Sequence, residues 1–168
     1  MKRKSIDELI ANKIYEAVNY VLSKKIKPDI KLEDVTEINL DKITELKGKY
    51  GIEGIILDVD DTLRKDMKSI PKCNEEWLDS IKEQLKVIVV SNGLDKNMYE
   101  FFKLKGIEYI GFAHKPLKKN FIKACKKMKI EPQNVLVVGD DLIDDIYGGH
   151  KNDMMTALVK NVKDDEGR

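Results

Sequence analysis

An α/β fold built on a parallel sheet is the class this sequence predicts, and three observations predict it. From Gly51 onward, short apolar runs rich in β-branched residues alternate with helical patterns. The runs are almost continuously apolar, which marks strands buried on both faces. Polar and acidic residues follow the runs directly, where an open parallel sheet places its ligand crevice.

The elements follow in order. Residues 5–23 read as an amphipathic helix. Ser5 and Glu8 have capping-box spacing, and Ile6, Ile10, Ile14, Val18 and Val21 recur every three or four residues. Pro28 ends that pattern, so residues 1–27 form an amino-terminal helix and 28–168 one domain. The strand runs are 54–57, 87–90, 107–112, 135–138 and 156–159. Helical patterns lie between and after them, near 74–86, 95–105, 117–128 and 142–151.

Bulk properties bound the function. A chain of 168 residues is long enough for one domain with one core. With 42% apolar and 36% charged residues it is globular and not disordered. Net charge is +1 with acids and bases interspersed, so no specific nucleic-acid footprint is expected. Cys73 and Cys125 are far apart and lack Cys/His ligand spacing, which argues against zinc. No run approaches the ~20 apolar residues of a membrane span. No apolar signal segment follows the basic start, so a cytoplasmic location is expected.

The chemistry sits at the strand ends. Asp58-Val59-Asp60-Asp61-Thr62 follows the first run, Ser91-Asn92-Gly93 the second and Gly139-Asp140-Asp141 the fourth. Lys115 precedes the helical pattern at 117–128. Carboxylates gathered in one crevice raise one another's pKa, and a divalent cation relieves that repulsion. All-oxygen ligands favour magnesium. Carboxylates of the 58–61 and 140–141 clusters are therefore expected to share one crevice and one ion. A lone Asp after a strand is more often a helix cap, but two acids at i and i+2 with a further acidic cluster point to catalysis. An EF-hand is excluded, because Leu63 stands where its Gly belongs and Ser69 where its Glu belongs. No GxxxxGK[ST] is present.

At these residues the chain resembles the haloacid dehalogenase-like (HAD) superfamily of phosphatases. Asp58 to Leu63 matches its DxDxT motif, Ser91 its second motif and Lys115 its third. Gly139-Asp140-Asp141-Leu142-Ile143-Asp144-Asp145 matches its acidic fourth motif. Within the superfamily the chain is similar to the capless subclass III, YqeG-like group, which includes phosphatidylglycerophosphate phosphatases. That likeness rests on Lys27-Pro28-Asp29, on Gly51-Ile52, and on Asp145-Ile146-Tyr147-Gly148-Gly149 running into Thr156-Ala157-Leu158-Val159. Asp61, Asp141 and Asp144 depart from the group's usual Asn, Gln and Thr.

The resemblance implies a Rossmann-like three-layer fold with strand order 3-2-1-4-5. It implies a magnesium-dependent phosphomonoester hydrolase. Asp58 is then the nucleophile that forms an aspartyl-phosphate, and Asp60 the acid/base. Thr62, Ser91, Asn92 and Lys115 contact the phosphorylated substrate. Asp58, Asp140 and the Asp60 backbone carbonyl bind Mg2+, and the side chains of Asp58, Asp60 and Asp140 are expected to meet around that one ion. Asp141, Asp144 and Asp145 support the site.

Only 28 residues separate Thr62 from Ser91, and 23 separate Ser91 from Lys115. Each gap barely holds one helix with its loops, so no large cap domain is expected. An open site of this kind suits a large substrate, such as a lipid phosphate, or an oligomer. Peripheral membrane contact through the amino-terminal helix fits the lipid reading. Two alternatives stay open: a phosphatase of sugar phosphates or nucleotides, and a phospho-receiver-like regulatory module. Asp60 argues for turnover over a stable phosphoryl mark.

Overall fold

The computed structural model describes residues 24–163, together with Lys13, Ile14, Ala17 and Val21 in a helical stretch upstream. The rest of the expected amino-terminal helix lies outside the described residues.

Six parallel strands form one sheet: β1 (Ile30–Leu32), β2 (Gly54–Leu57), β3 (Lys86–Val90), β4 (Glu108–Ile110), β5 (Val135–Gly139) and β6 (Met155–Val159), in the order β1-β6-β5-β2-β3-β4. The five expected strands keep the order 3-2-1-4-5. β1 adds an edge strand that the sequence patterns do not announce. It pairs with β6 in the register Ile30 to Ala157.

The helices are α1 (Leu40–Tyr50), α2 (Lys72–Lys82), α3 (Lys96–Leu104) and α4 (Lys118–Met128). α1 was not among the expected elements, although its ends are chemically marked. Asn39 Oδ1 accepts from the Lys42 N–H, and Gly51 closes the helix with φ 66°. The expected helix at 142–151 is a π-helical segment (Leu142–Tyr147) followed by one α-turn (Gly148–His150).

Alternation along the strands sorts the core into two layers. Ile55, Leu57, Leu136 and Val138 pack with Ile43 and Leu46 of α1, Leu78 and Ile81 of α2, and Phe102 of α3. Ile56, Val135 and Val137 face the other way, onto Phe121, Ala124 and Met128 of α4. The result is three layers, helices on both faces of a buried sheet. Every residue of β2 and β5 is buried. The polar backbone after Leu57 and Gly139 therefore emerges together at one edge, because Leu57 and Val138 are register partners.

Candidate active site

The chain turns sharply after Asp58. The Val59 carbonyl accepts N–H groups from Thr62, Leu63 and Arg64, and Asp61 adopts φ 60°. That left-handed residue costs local strain, and it bends the loop back so that Asp60 and Arg64 come side by side.

Asp58 and Lys115 form the centre of the site. Lys115 is buried, and its Nζ donates to Asp58 Oδ1 at 2.6 Å and to Asp145 Oδ1 at 2.6 Å. Burial would lower the ammonium's pKa, but the Asp145 and Asp58 carboxylates outweigh it and hold Lys115 above the ordinary lysine value. Burial, then repulsion from Asp145, pushes Asp58 up to about 7 against the pull of Lys115. Burial and Asp145 likewise push Asp140 up to about 7.

Asp58, Asp140 and Asp145 each present a carboxylate oxygen within 4.8 Å of the others. Hard oxygen donors crowded this closely, with ionisation suppressed, are the environment a divalent cation relieves, so the residues fit Mg2+. Asp60 is placed differently from the expected trio of carboxylates. Its side chain is not in this cluster, and Asp60 Oδ1 accepts from Arg64 Nε at 2.8 Å. The third acidic side chain beside Asp58 and Asp140 is Asp145.

The other expected residues surround this centre. Thr62 is buried and its Oγ1 donates to Asp140 Oδ1 at 3.3 Å. Ser91 is buried, and its Oγ accepts from the Gly93 N–H. Asn92 is a bracket: Oδ1 accepts from the Lys115 N–H at 2.7 Å, and Nδ2 donates to Asp144 Oδ2 at 2.7 Å. Asp144 is pushed up to about 6 by burial and by Asp141. Asp141 caps the π-helical segment by accepting from the Ile143 and Asp144 N–H groups. Its own N–H donates to Asp145 Oδ2.

A model of the HAD-hydrolase-like family matches residues 112–167. A curated relative, the probable phosphatase YqeG of Bacillus subtilis, is 32% identical over 149 residues, covering 88% of this chain and 84% of its own. The chain belongs to the HAD-like hydrolases, in the YqeG-like phosphatase group. Solved structures share its fold. A putative HAD family hydrolase from Streptomyces avermitilis aligns with TM-score 0.55 and 17% identity, over 66% of this chain and 68% of that one. A putative 3-deoxy-D-manno-octulosonate 8-phosphate phosphatase from Vibrio cholerae gives TM-score 0.53 at 16% identity, over 66% of each chain.

This HAD-like phosphatase has one site residue that strand-end reasoning misses, Arg64. Its only sequence signal is the four-residue spacing from Asp60. No helix among the described residues is long and apolar enough to cross a membrane.

Proposed function

We propose that the chain hydrolyses phosphomonoesters with magnesium, through phosphorylation of Asp58. The observation that carries this reading is the buried Asp58–Lys115 contact of 2.6 Å inside a cluster of three carboxylates. Asp58 and Asp140 would hold the ion together with the Asp60 backbone carbonyl, with Asp145 beside them. Bound there, Mg2+ supplies charge neutralisation at the phosphoryl oxygens.

The chain's own residues do the rest. An Asp58 carboxylate oxygen attacks phosphorus as the bond to the leaving oxygen breaks, and Asp60 gives its proton to that oxygen. Asp60 then takes a proton from water. The water oxygen attacks phosphorus, the bond to Asp58 breaks, and inorganic phosphate leaves. Lys115 and Ser91 stabilise the phosphoryl oxygens throughout, and Asp145 keeps the Lys115 ammonium aimed at the centre.

The leading substrate is phosphatidylglycerophosphate, on the YqeG-like flanking segments. A rim of exposed apolar side chains supports it: Met67, Leu94, Phe112 and Leu117 lie on loops that leave the carboxyl ends of β2, β3 and β4. Exposed Lys65, Lys68, Lys96, Lys118 and Lys119 flank them, a composition suited to an anionic lipid surface. A second reading is a soluble organic phosphate. It is favoured by a cavity of about 730 Å³ that reaches from Asp140 and Asp61 to Lys31, Lys65 and Lys160.

The test is acid quenching during turnover of a radiolabelled phosphomonoester with Mg2+, followed by peptide mapping. Label on the peptide containing Asp58 supports the mechanism. Turnover with no label there overturns it, and a label that persists after substrate is exhausted turns the reading to a receiver-like mark. Turnover of phosphatidylglycerophosphate in anionic vesicles against a soluble panel separates the two substrate classes.

A further inference from the structure

Arg64 is buried on the loop between β2 and α2, yet it carries a full charge. Its guanidinium is fixed on three sides. Nε donates to Asp60 Oδ1 at 2.8 Å, Nη1 donates to Asp95 Oδ2 at 2.8 Å, and Nη1 also reaches the Lys68 carbonyl at 3.4 Å. Each end of this bracket is anchored in turn. Asp95 is the N-cap of α3, where its other oxygen accepts from the Asn97 and Met98 N–H groups. The Leu63 carbonyl, one residue before Arg64, accepts from the buried Asn74 of α2 at 2.9 Å, and the Leu63 side chain is fully buried. A planar guanidinium between two carboxylates holds both in a narrow range of orientations.

Asp60 has little else to hold it. Its side chain is 45% exposed, and it sits on a strained turn. The Arg64 contact takes up Oδ1. Oδ2 faces the position of Gly93, where an added Cβ would lie 3.9 Å from it and 3.7 Å from Ser91 Oγ. Oδ2 and Ser91 Oγ therefore look into the same space.

We propose that Arg64 is a positioning residue for Asp60: it engages Oδ1, tethers the carboxyl to the start of α3 through Asp95, and leaves Oδ2 as the oxygen that hands the proton to the leaving group. This rests on the phosphatase reading above. Oδ2–H breaks as the leaving oxygen gains its proton, and the later proton from water returns to the same atom. A displacement of about 1 Å in such a group costs on the order of 100-fold in rate. The cost depends on the leaving group. An aryl leaving group departs with little proton assistance, whereas an alkyl leaving group requires it.

The experiment compares wild type, Arg64→Met, Arg64→Lys, Asp95→Asn and Asp60→Asn on an aryl phosphate and an alkyl phosphate, with thermal midpoints recorded for each. Asp60→Asn fixes the reference, a larger kcat loss on the alkyl than on the aryl ester. Arg64→Met reproduces that alkyl-selective loss, Arg64→Lys recovers part of it, and Asp95→Asn shows a smaller version while keeping the helix cap. Equal losses on both esters in folded Arg64→Met, or no loss, overturn the proposal while leaving the phosphatase reading intact. Should Arg64→Met fail to fold, Asp95→Asn decides, and the absence of alkyl selectivity in it is the contrary result. Should Asp60→Asn itself lack alkyl selectivity, the acid role fails first and the proposal falls with it.

Discussion

The Asp145 carboxylate occupies the space a side chain on Gly139 would need: a Cβ built there would lie 2.1 Å from Asp145 Oδ2. Glycine at the last position of β5 thus lets Asp145 fold back against the strand end and reach Lys115. Gly139→Ala must displace Asp145, because the obstacle is a short buried carboxylate pinned at both oxygens. The variant is expected to lose about 1–3 kcal/mol of stability by overpacking. It should also lose on the order of 100-fold in kcat as Lys115 drifts from Asp58. Denaturant melts and aryl phosphate kinetics check both.

Lys115→Met removes the one ammonium between Asp58 and Asp145. Breaking a buried ion pair from one side leaves uncompensated charge, at a cost of about 3–5 kcal/mol. The metal-free variant is expected to melt well below wild type. Added Mg2+ should narrow the gap by supplying positive charge to the same carboxylates, while turnover stays depressed on the order of 100-fold or more. Thermal melts with chelator and with Mg2+ test the pair of outcomes.

With metal chelated, stability should fall as pH rises from about 4 to about 7. Asp58 and Asp140 have folded-state values of about 7 against an ordinary 3.8, so the folded chain holds more protons than the unfolded one across that window. Their contribution is fully present below pH 3.8 and is lost as pH passes through about 7. Asp29 and Asp34 run the opposite way. Burial raises each, but hydrogen bonds from His150 and Thr156, and from Thr36 and Lys163, lower them further, so their stabilisation is lost only as pH falls below the ordinary carboxylate value. Saturating Mg2+ should flatten the decline, since the ion competes with protons for the same oxygens. Melting curves in chelator and in Mg2+ at several pH values read this directly.

Phe112→Ser combined with Leu117→Ser tests the rim. Hydrolysis of phosphatidylglycerophosphate in anionic vesicles should drop several-fold or more, while aryl phosphate turnover in solution stays at the wild-type level. Leu104→Ser, at a still more exposed apolar position on α3, serves as the control and should change neither. Equal vesicle rates for all three proteins would leave the apolar rim without a role.

How far the sequence carries depends on how local each signal is. Asp58, Ser91 and Asp140 are legible because each directly follows a buried strand, and a parallel sheet delivers all such positions to one edge. Asp145 against Asp141 is not separable in sequence, because both lie in one acidic run. The fold divides them: Asp141 is spent on capping two N–H groups, and Asp145 reaches inward to Lys115. Arg64 is hidden for another reason. Lys and Arg number 31, so one more carries no signal by itself, and only the Asp61 turn brings this one beside Asp60. β1 is three residues long with a central lysine, too short for any period to show, and it is ordered by pairing with β6. The π-helical form of 142–147 also escapes a helical pattern read at 3.6 residues per turn.

Whether an Asp58 carboxylate oxygen is the one that attacks phosphorus is decided by magnesium-dependent turnover of an aryl phosphate, with Asp58→Asn measured beside wild type. That role requires wild type to turn over only with Mg2+, and Asp58→Asn, folded to the same melting behaviour, to show none above background. Retained magnesium-dependent turnover in Asp58→Asn would contradict it.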